Sequence, residues 1–401
     1  NTLTLSGEGR LSNTNALVLN HASSKLLLSS SITVDNVSTS SNSLGLDVDD
    51  NSTVSSLTVA YTTPVSIASG NTLSGAITVT AGSLQLDETG TLASTVSMSG
   101  GELDADESMT VSGALSQSGN ITINVADNKT LTYTGDAISL GANTLTLSGG
   151  GTLSNTNALA LDNADSLLTL AGILTIGDVD GTAAASNSSK GIRVTSSATF
   201  GDYNLSAESY LAISADKTLD GQLNLQSNGE LNISGSGEYI GDIALAGGKF
   251  SAVDNQVLSG TLSVTADSEL AVASGYTLQL SQAGGLSLGA NTLTLSGGGT
   301  LESGVLYLDN ASSKLLLNSI TVDNVSTSLA SLGLDVDANS TVTSLNVAHT
   351  TPVSIASTKT LSGAITVSGG SIQLDETGTL ASSVSMSGGE LDADNSLTLS
   401  G

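Results

Sequence analysis

Cysteine and tryptophan are absent from the 401 residues, aromatic residues make up 2%, and there are two prolines. Without cysteine there is neither a disulfide framework nor a thiolate zinc site. With so few rings, a thick core packed on large side chains is excluded, and small aliphatic residues must fill a thin one. Cations are equally scarce: nine Lys and Arg stand against 37 Asp and Glu, a formal net charge of −28. Nucleic acid is the wrong partner for such a chain, because phosphate recognition needs a basic patch. The acidity also discourages adsorption to anionic membranes. No apolar run is long enough to cross a bilayer, and no stretch of this sequence reads as a leader peptide. Apolar residues at i, i+3, i+4 and i+7 do not persist, and 45 glycines interrupt any helical pattern.

What is present is repetition. "NTLTLSG" opens at Asn1, and "GANTLTLSGGGTL" carries the same motif at Asn143 and again at Asn291, starts that lie 142 and 148 residues apart. One long unit is therefore written nearly three times, as 1–142, a divergent 143–290 and a truncated 291–401. Such self-similarity signals a stacked-repeat architecture.

A shorter rhythm runs inside the long one. Leu84, Leu103 and Ile121 open matching stretches 19 and 18 residues apart, each after a Gly-containing pair and each alternating apolar with polar. Strict alternation is the mark of a strand with one buried side. Short strands between Gly, Asn, Asp and Ser, at a spacing of roughly 20, predict an all-β parallel β-helix (β-solenoid) with about three strands per coil. Leu, Val, Ile and Ala face inward, while Thr and Ser suit the outward positions. One continuous rod of roughly 20 coils, about 90–100 Å long at the ordinary interstrand spacing, follows. Pro64 and Pro352, both in "TTPVSIAS", are expected at the same corner of equivalent coils because proline lacks a ladder donor. "GTAAASNSSKG" at 181–191 reads as a projecting loop. The chain starts and stops within the repeat, which reads as a segment of a longer protein.

The stretches "GANTLTLSGGGTLSNTNALALD", "GNTLSGAITVTAGSLQLDETGTL" and "GGELDADESMTVSGAL" resemble the passenger repeats of bacterial autotransporter adhesins and related haemagglutinin-type surface proteins. The resemblance implies a right-handed parallel β-helix displayed on a Gram-negative cell surface, where it adheres to hosts, to other cells or to itself. It carries over no functional residues.

Candidate chemistry is sparse. Asp-x-Asp pairs recur at Asp47/Asp49 with Asn51, Asp335/Asp337 with Asn339, Asp104/Asp106, Asp392/Asp394 and Asp178/Asp180. Calcium needs several oxygens converging from one loop, and an EF-hand counted from Asp47 would find Ser52 and Thr58 where Gly and Glu belong. Calcium is the one cofactor to test for, and solvated acidic corners are the expectation. Polysaccharide hydrolysis needs two carboxylates across a cleft, and lyase chemistry adds a cation. Arg10 and Arg193 stand apart from any dense acidic cluster, and Tyr133, Tyr203, Tyr210 and Tyr239 are scattered. His349, in the third unit, occupies the place of Tyr61 in the first, and His21 falls in a turn, so no Ser-His-Asp triad is indicated. The glycines of "GSGEYIG" at 235–241 open no helix and cradle no phosphate. The Thr2/Thr4, Thr144/Thr146 and Thr292/Thr294 pairs recur once per long unit and are expected to form no continuous threonine array. No catalytic, cofactor or metal residue is assigned. Asn36, Asn51, Asn232, Asn324 and Asn339 sit in glycosylation sequons that so Ser- and Thr-rich a chain produces by chance.

The expectation is a non-enzymatic, extracellular structural and adhesive fibre segment of a bacterial surface protein, acting by reach, multivalent weak contacts or self-association. Its partners are like rods or the surfaces of host and neighbouring cells. A polysaccharide-processing β-helix and an inert stalk are the alternatives.

Overall fold

A computed structural model of the chain describes residues 1–172, 174–393, 395–396 and 398–401. Among them every regular element is a β-strand, and every named strand pairing is parallel. The chain forms two compact units, Asn1–Asp202 and Tyr203–Gly401. Each is a β-solenoid of about ten coils of roughly 20 residues.

In the first unit one strand per coil builds the first sheet, from Thr2–Leu5 through Ser83–Leu86, Glu102–Ala105 and Ile121–Val125 to Gly191–Val194. The alternation read from the sequence holds along each strand, but the stacking corrects one match: Leu103 lies over Ile123 and not over Ile121, which pairs with Leu145 of the next coil. Leu84 lies over Leu103 and Leu103 over Ile123, while Leu86 lies over Ala105 and Ala105 over Val125. All of these side chains are 0–1% exposed. Each fully buried Leu or Ile contributes about 1.5–3 kcal/mol relative to leaving it in water, so stacking like on like supplies the stability that disulfides and large rings do not.

The rest of each coil belongs to a second sheet. Some coils place two short strands there, as in Thr91–Leu92 and Thr95–Met98; others fuse them into one eight-residue strand, as in Ser52–Val59 and Thr72–Val79. In Ser52–Val59 the inward positions are Ser52 and Val54, then Leu57 and Val59. The parity changes at a bulge between Val54 and Leu57, which bends the strand around the core. The expected three strands per coil are therefore present, with the second and third merged where the bulge permits.

The second unit repeats the scheme from Glu208–Ile213 to Glu390–Ala393. Its inward column Leu231, Phe250, Leu270 is 0% exposed. Tyr133, Tyr203 and Tyr239 are core residues: Tyr203 donates to Ser209 Oγ at 2.9 Å, and burial pushes its phenol up to about 12. Tyr239 donates to the Gly221 carbonyl at 2.8 Å. Those rings are structural.

The prolines correct one expectation. Pro64 lies inside the strand Thr63–Ile67 and Pro352 inside Thr351–Ile355, not at corners. Each costs a single ladder donor, and each faces a glycine of the preceding coil, Gly45 or Gly333, whose missing side chain leaves room for the proline backbone. Residues 182–190 form the exposed loop expected there, pinned by Ser186 and Lys190 to Asp165.

Candidate functional site

The Asp-x-Asp pairs do not converge. Asp47 is ion-paired with Lys25, and its repeat equivalent Asp335 with Lys314 at 2.5 Å; Asp49 and Asp337 follow their strands and are exposed. Asn124 Nδ2 donates to Asp104 at 2.7 Å, and Asn124 Oδ1 accepts from Ser148 Oγ at 3.0 Å, a polar ladder along the outside of the first sheet. Asp178 accepts the backbone N–H of Asp202 at 2.9 Å. Asp392 lies in Glu390–Ala393, and Asp394 is outside the described residues. Among the described residues no three His, Cys, Asp or Glu gather as a metal-binding group. His21 accepts from the Ser23 N–H within its turn at 3.0 Å, and His349 is exposed just past a strand, as its equivalence to Tyr61 in the repeat implied.

Threonine is arranged differently from the pattern read in the sequence. Thr144 lies against Leu167 and Thr292 against Lys314, but Thr146 stacks between Thr122 and Thr169, a short threonine column over three coils. On the second sheet of the first unit, however, Thr72, Thr91, Thr110 and Thr132 follow one another in register. In the second unit Thr277, Thr300, Thr321 and Thr341 do the same. The signal was the "Thr-Leu" or "Thr-Val" at or near the start of these strands, from which only Thr132, followed by Tyr133, departs.

The first unit also concentrates negative charge outside the first sheet. Asp87 and Asp106 follow the register pair Gln85–Asp104, with Glu102 and Glu107 beside them. Partial burial, followed by the charge of Asp106, Asp104, Asp47 and Glu88, raises the Asp87 carboxyl; partial burial and the neighbouring Asp104 also raise Glu102 and Asp106. The cations nearby are already engaged, Lys25 with Asp47 and Lys129 with Glu107 at 2.5 Å. A carboxyl raised above its ordinary value of 3.8 or 4.5 binds its proton more readily in the folded chain. Its penalty is therefore present at neutral pH and relieved as pH falls through the raised values toward the ordinary ones. Asp87→Asn with Asp106→Asn is expected to raise the urea midpoint of the chain at pH 7. The gain over wild type should shrink at pH 4.5, and a constant difference would refute the charge origin.

An open polar hollow lies in the second unit and was missed in the sequence because its residues come from four coils. Register places Glu208, Glu230, Lys249, Glu269 and Thr294 in one outward column. Lys249 Nζ lies 3.1 Å from Glu230 and 3.8 Å from Glu269. Glu269 also accepts from Ser296 Oγ at 2.5 Å, and Glu208 accepts from the Tyr210 hydroxyl at 2.9 Å. Beside the column the corners are bare at Gly229, Gly247 and Gly248, which opens a cleft of about 410 Å³ walled by Asn228, Asp267, Ser268 and Thr292. Asp267 is fixed by the Thr292 N–H at 2.7 Å, and Ser268 by the Gly247 N–H at 3.0 Å. The cleft offers acceptors and hydroxyls. Its two glutamates share one ammonium, whereas a glycosidase pair needs one carboxyl free to deliver a proton.

Comparison with protein-family models, with curated proteins and with solved structures finds no match for this chain. The class defined by its own geometry is the β-solenoid.

Proposed function

We propose that this chain is an extracellular structural and adhesive fibre segment of a bacterial surface protein, working by reach and by many weak contacts and not by catalysis. The observation that carries the reading is the duplication of one outward surface, once in each unit. The first copy has the Lys25–Asp47 ion pair, Gly45 against Pro64, and Leu44 exposed at 52%; the second has Lys314–Asp335, Gly333 against Pro352, and Leu332 exposed at 54%. A catalyst needs one well-built centre, whereas duplicated faces add their weak affinities through effective concentration. The outward columns of Thr, Ser and Asn, with isolated apolar side chains among them, suit low-affinity contact with cell surfaces or with a like chain.

Beads coated with the chain are expected to cluster with one another or to settle on cells in proportion to coating density. Coated beads that behave as bare ones at every density would remove adhesion and leave a spacer.

A further inference from the structure

We propose that the cleft over Glu230, Lys249 and Glu269 binds an amine-bearing saccharide, a hydroxyl-rich chain whose sugar units carry protonated amines. The proposal deepens the adhesive reading by giving one site a ligand class, and it rests on that reading for its biological use.

Charge comes first. Glu230, Asp267 and Glu269 line the cleft against the single cation Lys249, so two negative charges are uncompensated there. An anionic polysaccharide or a phosphate is repelled. A bare divalent ion is also disfavoured, because Lys249 already occupies the space between the two glutamates that such an ion would bridge.

The hydrogen-bond inventory narrows the choice further. A carboxylate only accepts, through about four lone-pair positions. Glu230 and Glu269 spend few of theirs on Lys249 and Ser296, so the cleft is rich in acceptors and asks for donors. A protonated amine offers three donors and a sugar hydroxyl one. Around the carboxylates, Thr292, Thr294 and Asn228 can each donate and accept, which matches hydroxyl groups better than the methylene stems of a lysine-rich peptide. No aromatic or aliphatic side chain lines the wall, which removes an apolar ligand. The volume of about 410 Å³ falls at the lower end of ligand clefts, roughly 300–1,000 Å³.

Register gives the site its stiffness. The column is held by the backbone ladders of Glu230–Ser234, Lys249–Ala252, Ser268–Val272 and Thr292–Ser296 over the buried Leu231, Phe250 and Leu270. Little ordering is left for a ligand to supply.

The test is calorimetric titration of the whole chain with a glucosamine oligomer. Its N-acetylated neutral counterpart, an oligogalacturonate and an oligolysine serve as comparisons. Binding of the glucosamine oligomer is expected to exceed that of the neutral and acidic oligomers by tenfold or more. Glu230→Gln with Glu269→Gln should weaken it at least tenfold while leaving 26 of the 28 net negative charges, so general attraction to a polyanion is preserved. Amide shifts at Lys249 and Thr294 in the wild-type chain provide a readout independent of any variant. Unchanged binding by the double variant, unmoved shifts, or equally tight binding of oligolysine with the same dependence would overturn the assignment. Coated beads that cluster while the oligomer does not bind would leave adhesion standing and remove this site.

Discussion

Gly45→Ala is expected to lower the unfolding free energy of the first unit by about 3–5 kcal/mol, and Gly333→Ala to do the same in the second. Both glycines have left-handed backbones, φ 77° and 83°, and both face a proline carbonyl of the next coil. A methyl group built on either would overlap that carbonyl oxygen, and neither backbone can yield without breaking the ladder that spaces the coils. Gly70→Ala separates the two causes. Gly70 has φ 80° but nothing within 4 Å of the added carbon, so it should lose only the conformational cost of about 1–2 kcal/mol. Urea unfolding followed by circular dichroism reads all three. Equal losses at Gly45 and Gly70 would mean that coil-to-coil approach plays no part.

That contrast marks how far the sequence could be read. The inward faces were legible because a two-residue alternation needs no partner to be recognised: Leu84, Leu86, Leu103 and Ile123 are buried where the pattern puts them. Coil length was legible for the same reason, since the alternation restarts after each Gly-containing corner. Positions defined by the coil above or below were not. Pro64 looks like a corner residue by itself, and only its juxtaposition with Gly45 explains its place inside a strand. The bulge between Val54 and Leu57 was hidden too, because "STVSSLTV" gives no sign of where its parity changes.

The mixed-charge cleft was invisible for a related reason. Glu230, Lys249 and Glu269 are about 20 residues apart and belong to no motif, and only register brings them to one column. The Asp-x-Asp pairs had the opposite fate. They are conspicuous along the chain, yet in space Asp47 and Asp335 are each taken by a lysine of the preceding coil. In a stacked fold, chemistry is assembled along the axis, and a linear motif counts for less than the residue one coil away.

The same axial logic governs Phe250, the second large expected effect. Its ring is 0% exposed, between the aliphatic Leu231 and Leu270 of the neighbouring coils. Phe250→Ala is expected to cost about 3–5 kcal/mol, because the coils above and below are held apart by their own ladders and cannot collapse into the space. Phe250→Leu keeps most of the volume and should cost less than about 1.5 kcal/mol. Urea unfolding of the whole chain, followed at the transition of the second unit, tests both. A loss below about 1.5 kcal/mol for the alanine variant would mean that the coils do close up, and that the core is softer than its register implies. Because Lys249 precedes Phe250 in the same strand, Phe250→Ala should also loosen the Lys249 column, while Phe250→Leu should leave glucosamine-oligomer binding near the wild-type value. A leucine variant that folds stably yet loses binding would place the control of the cleft in the ring itself and not in the rigidity of the strand beneath it.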